Sequence, residues 1–180
     1  VTTLGWRADE AARRMLSGDV PPAGVCSSAN LIQRDFKAFE IVFDGNPVEK
    51  SLAMLKASVS EAFDRARLSR EEITESCLFV GTTGGLFIRN ESEFAEFMRL
   101  HPEKESPPIS CRNRGPGEVA QLIAETFGIG GQTFTLSMAC VSSSHALVLA
   151  ADLLRQGKFK RAIVVGFEPL LNMTLHGFAS

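Results

Sequence analysis

Gln132 to Met138 is a run of β-branched and aromatic residues that stops at Ala139–Cys140, and a small-residue segment with helical patterning, Ser142 to Gln156, follows at once and is closed by Gly157. A strand that passes directly into a helix has to be covered by other elements, because each has an apolar face to bury. The rest of the chain supplies them. Cys77 to Val80 and Arg161 to Gly166 are further short apolar runs that read as buried strands. Trp6 to Leu16 reads as a helix ended by Gly18 and Pro21–Pro22. From Ser51 to Leu68, Leu52, Leu55, Val59, Ala62, Phe63 and Ala66 recur at helical spacing. Asn90-x-x-Glu93 predicts a cap for a short helix through Leu100, and Glu118 to Phe127 predicts a helix ended by Gly128. Helices alternating with short strands predict an α/β layered domain. Residues 19–50 are poorly periodic apart from the turn signal Asp44–Gly45–Asn46–Pro47, and 101–117 read as a proline-rich surface connection or a functional loop.

The 180 residues, 44% apolar and 22% charged, suit one soluble globular domain, and a net charge of −2 gives no reason to expect nucleic acid as a partner. No stretch of about 18 apolar residues offers a membrane span. Asp9, Glu10, Arg13, Arg14 and Asp19 exclude the apolar core of a signal peptide from the first twenty residues. Cys26, Cys77, Cys111 and Cys140 are widely spaced and none forms C-x-x-C, which argues against zinc and for four reduced thiols in a cytoplasmic protein. The chain starts at Val1 without Met and stops just after an apolar run, so both ends read as cut from something longer.

The junction is also where the chemistry concentrates. Cys140 falls at the amino end of a helix, where unpaired N–H groups and the positive end of the dipole favour an anion, and the anionic thiol is the nucleophilic one. Ala139 and Ser142–Ser143–Ser144 are small enough to let a substrate approach. The competing reading is an inert buried cysteine. Gly81–Thr82–Thr83–Gly84–Gly85 follows a strand as phosphate-binding loops do, but it has neither the lysine nor the spacing of one, so a tight turn or the wall of a substrate cavity is the better reading. His101, His145 and His176 share no metal-ligand spacing, and no metal is expected. His145, five residues beyond Cys140, points away from it on a helix and reads as a packed core histidine. Leu147, Leu149, Leu153 and Leu154 read as ordinary core. Lys104, Arg112 and Arg114 make a small basic cluster, either a solvated loop or a docking point for an acidic partner.

Ser137–Met138–Ala139–Cys140–Val141–Ser142–Ser143–Ser144–His145–Ala146–Leu147 resembles the nucleophile motif of the β-ketoacyl-ACP synthases, condensing enzymes of the thiolase fold. His145 matches a histidine that elongating members often carry five positions after the cysteine. Val1 to Gly5 resembles the end of the family's first strand, Val80–Gly81–Thr82 its acyl-pocket loop, and Ala162 to Glu168 the strand after the nucleophile helix. The resemblance covers nearly the whole chain and corresponds to the amino-terminal half of a synthase, residues 1–180, in a mixed sheet with helices on both faces.

That resemblance implies Cys140 as the acyl-accepting nucleophile, with its backbone N–H as one oxyanion donor, and Gly81, Thr82, Thr83 and Gly84 as substrate-binding residues. It implies acyl carrier protein as partner, a malonyl thioester as the second substrate, and no resident cofactor, since the substrates ride on phosphopantetheine. It also implies a homodimer or synthase heterodimer built through strand 133–138. The family's two catalytic histidines and its other oxyanion donor lie in its second half, so this chain alone is expected to be acylated at most. The runner-up is a non-catalytic, chain-length-factor-like subunit of the same fold; a thiolase or starter-type synthase fits the Cys–serine context and His145 less well.

Overall fold

The structure, a computed structural model, describes residues 6–19, 21–28, 34–38, 44–104 and 115–178. It divides into two compact units. One comprises Val1–Arg65, Glu91–Pro107 and Leu170–Ser180, and the other Ala66–Asn90 and Pro108–Pro169.

In the first unit, α1 (Ala8–Ser17) ends as its sequence predicts, at Gly18 with a positive φ of 72° and the Asp19 N–H donating back to the Arg14 carbonyl. Gly24–Ser28 (β1) and Arg34–Ala38 (β2) form an antiparallel pair in which Cys26 is opposite Phe36. The long helix α2 (Pro47–Ala66) starts earlier than its apolar periodicity indicated. Pro47 suits a first helical turn, and Asn46 and Glu49 cap each other's N–H groups. Leu55 and Val59 are buried on it. Glu61 ties α2 to α1: its carboxylate accepts the Ala8 N–H at 3.1 Å and lies 2.8 Å from Arg65, which also reaches Asp9 at 3.0 Å. Partial burial works to raise the Glu61 carboxyl, but the Ala8 N–H and Arg65 outweigh it and hold it below the usual carboxylate range. A last helix, α7 (Asn172–Phe178), has the N–H groups of Asn172 and Met173 both bonded to the carboxylate of Glu91 at 2.9 Å.

The second unit holds the sheet. After α3 (Arg70–Thr74), β3 (Cys77–Gly81) lies between β4 (Thr133–Leu136) and β5 (Ala162–Gly166), and both pairings are parallel. Side chains alternate across a strand, so Cys77 and Phe79 face one way and Leu78 and Val80 the other; all four are buried, as a strand covered on both faces requires. Cys77 and Phe79 meet Ala146 and Ala150 of α6 (Ser142–Arg155), with Phe134, Leu136 and Val164 around them. Phe79 stacks on its register partner Phe134, centroids 4.7 Å apart. On the opposite face, α5 (Gly117–Phe127) packs on β3 and β4 and buries Val119, Ala120 and Ile123. Ser69 and Glu72 form the capping box of α3, and Glu72 also receives Arg161, at the foot of β5, at 2.7 Å.

The layered α/β reading therefore holds, with the described sheet parallel throughout and the antiparallel pair separate from it. As with α2, the start of α4 (Phe87–Leu100) differs: it begins before Asn90, so Asn90-x-x-Glu93 lies inside a helix rather than capping it. Leu86 and Ile88 are buried, and that burial overrides the local cap signal. The expected strand end at Val1–Gly5, together with Cys111, Arg112 and Arg114, lies outside the described residues.

Candidate active site

Cys140 sits where β4 gives way to α6, in a single tight turn, Ala139–Val141, just ahead of the helix. It is exposed, whereas Cys77, the other cysteine whose side chain is described, is buried in the sheet. The inert-core reading of Cys140 fails on that point. Ala139 has a φ of +50°, unusual for a residue with a β-carbon, and it is held there from several sides. Its carbonyl accepts the Ser142 N–H, the Ser142 hydroxyl at 2.7 Å and the Thr83 hydroxyl at 3.2 Å. Ser142 Oγ in turn accepts the Met138 N–H at 2.8 Å, so one buried hydroxyl fastens both sides of the turn.

Small residues let the helix reach this position. Ser142, Ala146 and Ala150 line the buried side of α6. Gly81 and Gly166, at the carboxyl ends of β3 and β5, leave room for its first turn. A β-carbon on Gly81 would come within 2.5 Å of Ser142 main-chain atoms, and one on Gly166 within 2.5 Å of the Ser143 hydroxyl.

The loop after β3 lies beside the same turn. Thr82 is fully buried and its hydroxyl accepts the Gly85 N–H at 2.9 Å, closing the loop on itself. Thr83 is exposed. Its N–H and that of Gly84 both donate to the carboxylate of Glu168, at 2.8 and 2.9 Å, just past the end of β5. The structure thus gathers Cys140, Thr83, Gly84 and Glu168 at the carboxyl ends of three parallel strands, the edge at which α/β proteins place their sites. Glu168 and the Ser142 hydroxyl were not singled out from the sequence. The available signal was that Glu168 is the first charged residue beyond a strand ending at the same edge as the thiol.

His145 corrects an expectation. It is exposed rather than packed in the core, because the buried side of α6 is the narrow row Ser142, Ala146, Ala150 and position 145 falls about 100° away from it. The same narrowness leaves Leu147 60% and Leu154 36% exposed, while Leu149 and Leu153 pack against the core as expected. His101 and His176 belong to the other unit. Lys104 lies over the ring of Phe97, 5.4 Å from its centroid. Among the described residues no group of three or more His, Cys, Asp or Glu side chains could hold a metal ion, and no helix is long and apolar enough to cross a membrane.

Comparison with known proteins gives a consistent picture. Residues 7–180 match the family model described as "Beta-ketoacyl synthase, N-terminal domain". The chain is 26% identical over 162 residues to the highly reducing polyketide synthase dmxL2 of Cryptosporiopsis sp. (strain 8999), covering 87% of this chain and 6% of that protein. It is 29% identical over 125 residues to the polyketide synthase GfsB of Streptomyces halstedii, covering 68% of this chain and 2% of that protein. Among solved structures it resembles the ketosynthase ApeO, determined in complex with its chain length factor ApeC from Xenorhabdus doucetiae, with a TM-score of 0.66 at 22% identity over 99% of this chain and 47% of that one. A ketosynthase complex with a type II polyketide acyl-carrier protein, AntDE:AntF, matches with a TM-score of 0.56 at 16% identity, over 76% and 43% of the two chains. The chain thus spans a small fraction of the curated relatives and less than half of the solved chains, and the structural likenesses establish the thiolase-like fold.

Proposed function

The chain belongs to the β-ketoacyl synthase family, as its N-terminal domain, and from that premise we propose that Cys140 accepts an acyl group from a carrier-protein thioester in polyketide assembly. The observation that carries the reading is the exposed thiol in the turn between β4 and α6. The thiolate of Cys140 attacks the thioester carbonyl, a carbon–sulfur bond forms, and the carbonyl electron pair moves onto oxygen. The backbone N–H of Cys140 is one donor to that oxyanion. Collapse of the intermediate expels the carrier's phosphopantetheine as thiolate and leaves acyl-Cys140. Gly81, Thr82, Thr83 and Gly84 form the wall beside the acyl chain, with Thr83 bonded to the turn through the Ala139 carbonyl and Gly84 held by Glu168.

Condensation requires a malonyl thioester to lose carbon dioxide and its carbanion to attack acyl-Cys140. The family places its two catalytic histidines for that step, and its second oxyanion donor, in its second half, so the present residues supply loading and the two halves together supply carbon–carbon bond formation. Polyketide rather than fatty acid synthesis is favoured because the curated relatives are polyketide synthases. Acyl carrier protein is the partner in this reading, no resident cofactor takes part, and the setting is cytoplasmic.

The test is incubation with hexanoyl-loaded acyl carrier protein, followed by intact-mass measurement and peptide mapping. A hexanoyl adduct on the peptide containing Cys140, lost in Cys140→Ala, is expected. An unmodified Cys140 after prolonged incubation would refute the reading.

A further inference from the structure

We infer that Glu168 is a positioning residue for acyl transfer: through Thr83 it aims the backbone N–H of Cys140 at the oxyanion. This rests on the acyl-transfer reading above and adds a residue to it. The geometry runs in one direct line. The Glu168 carboxylate accepts the Thr83 N–H at 2.8 Å and the Gly84 N–H at 2.9 Å, so both of its oxygens fix the loop backbone. The Thr83 hydroxyl then donates to the Ala139 carbonyl at 3.2 Å. In a planar trans peptide the carbonyl and the following N–H point in opposite directions. Whatever fixes the Ala139 carbonyl therefore fixes the direction of the Cys140 N–H.

The other bonds to that carbonyl come from Ser142, two residues after the nucleophile and the first residue of α6. They tie the turn to α6, whereas the Thr83 hydroxyl ties it to the loop after β3. Thr83 belongs to a separate strand-loop, and Glu168 to a third element, so the pair references the Cys140 N–H to the sheet. The φ of +50° at Ala139 makes such a reference necessary, because a residue with a β-carbon relaxes from that conformation when its restraints are removed. A carboxylate suits the task better than an amide, since both of its oxygens accept and both facing groups are N–H donors.

Two probes of the full chain separate this role from a structural one. Hexanoyl N-acetylcysteamine transfers its acyl group to Cys140 through an oxyanion. Iodoacetamide alkylates the same thiol by displacement at a saturated carbon and forms none. Thr83→Val, which keeps side-chain shape and removes the donor, and Glu168→Ala are each expected to slow acylation about tenfold while leaving alkylation within about twofold. Thr83→Ser keeps a hydroxyl and restores most of the lost rate, and Glu168→Gln, with one accepting oxygen, falls between Ala and wild type. If Glu168→Ala does not fold, judged by its thermal melt, Thr83→Val carries the comparison. Equal acylation rates in wild type and variants overturn the inference while leaving the acyl-transfer reading intact. Equal slowing of both probes overturns it in favour of general loosening. A wild-type chain that alkylates but takes no acyl group refutes the acyl-transfer reading and removes this inference with it.

Discussion

Gly81 and Ser142 share one space: a β-carbon on the glycine would stand 2.5 Å from the carbonyl carbon and oxygen of the serine. Main chain cannot rotate out of the way as a side chain can, so Gly81→Ala forces the first turn of α6 off the sheet. We expect a loss of about 3 kcal/mol. Gly166 is crowded mainly by the Ser143 hydroxyl, which can swing aside, so Gly166→Ala should cost about 1 kcal/mol. Urea unfolding of the two variants checks the order, and equal losses would mean that α6 does not seat on β3 as described.

Phe79 is fully buried and stacks on Phe134 while meeting Phe159 edge-on, with centroids 6.2 Å apart. It is the largest fully buried side chain in the layer between the sheet and α6. Phe79→Ala should cost about 4 kcal/mol, because the surrounding strands and helix cannot collapse into the space. Phe79→Leu should cost less than half as much, since most of the volume is retained. The denaturation midpoint should fall with an unchanged denaturant slope.

Local chemistry in the sequence located most of these elements, and what it missed was nonlocal. Leu55 and Val59 are buried on α2 as their spacing indicates, Gly18, Gly128 and Gly157 take the positive φ of helix ends, and β3, β4 and β5 end within two residues of their apolar runs. β1 and β2 carry Gly–Val–Cys–Ser–Ser and Arg–Asp–Phe–Lys–Ala, which show little apolar alternation, and their pairing is the only regularity they have. On α6 the leucines suggested a broad buried face, yet a serine and two alanines are the fully buried residues, with Leu149 and Leu153 packed beside them and Leu147 and Leu154 left exposed. Within the site, Cys140 announced itself through the strand-to-helix switch. Glu168 did not, because its bonds reach residues 84 and 85 positions away in the chain.

Glu72 gives the second unit a definable acid sensitivity. The Ser69 N–H and the Arg161 guanidinium hold its carboxyl below the usual carboxylate range. A carboxyl with a lower folded-state pKa than its unfolded value contributes stability that is present above the unfolded pKa and lost as pH falls through the folded one. The native protein should therefore weaken from about pH 5 downward as Glu72 takes up a proton. Glu72→Gln should lower the melting temperature at pH 7 and flatten its decline below about pH 5. Parallel curves for the two proteins would show that Glu72 does not contribute to the acid limb.

β4 pairs with β3 along one side, and among the described residues no strand pairs with its other side. Met138, two residues beyond it, is 48% exposed, Val141 is 54%, and Leu147 and Val148 of α6 are each 60%. An unpaired strand edge and exposed apolar side chains each invite another chain, and a two-fold partner would cover such an edge. We propose that the dimerisation through residues 133–138 implied by the family resemblance covers this face. Leu147→Glu combined with Val148→Glu should then halve the molar mass measured by light scattering. Because both positions are solvent-facing within a single chain, the melting temperature of an isolated protomer should barely respond, each substitution changing its stability by no more than about 0.5 kcal/mol. An unaltered molar mass in the double variant would assign the contact to another face, and a monomeric wild-type chain would rule out self-pairing through this strand.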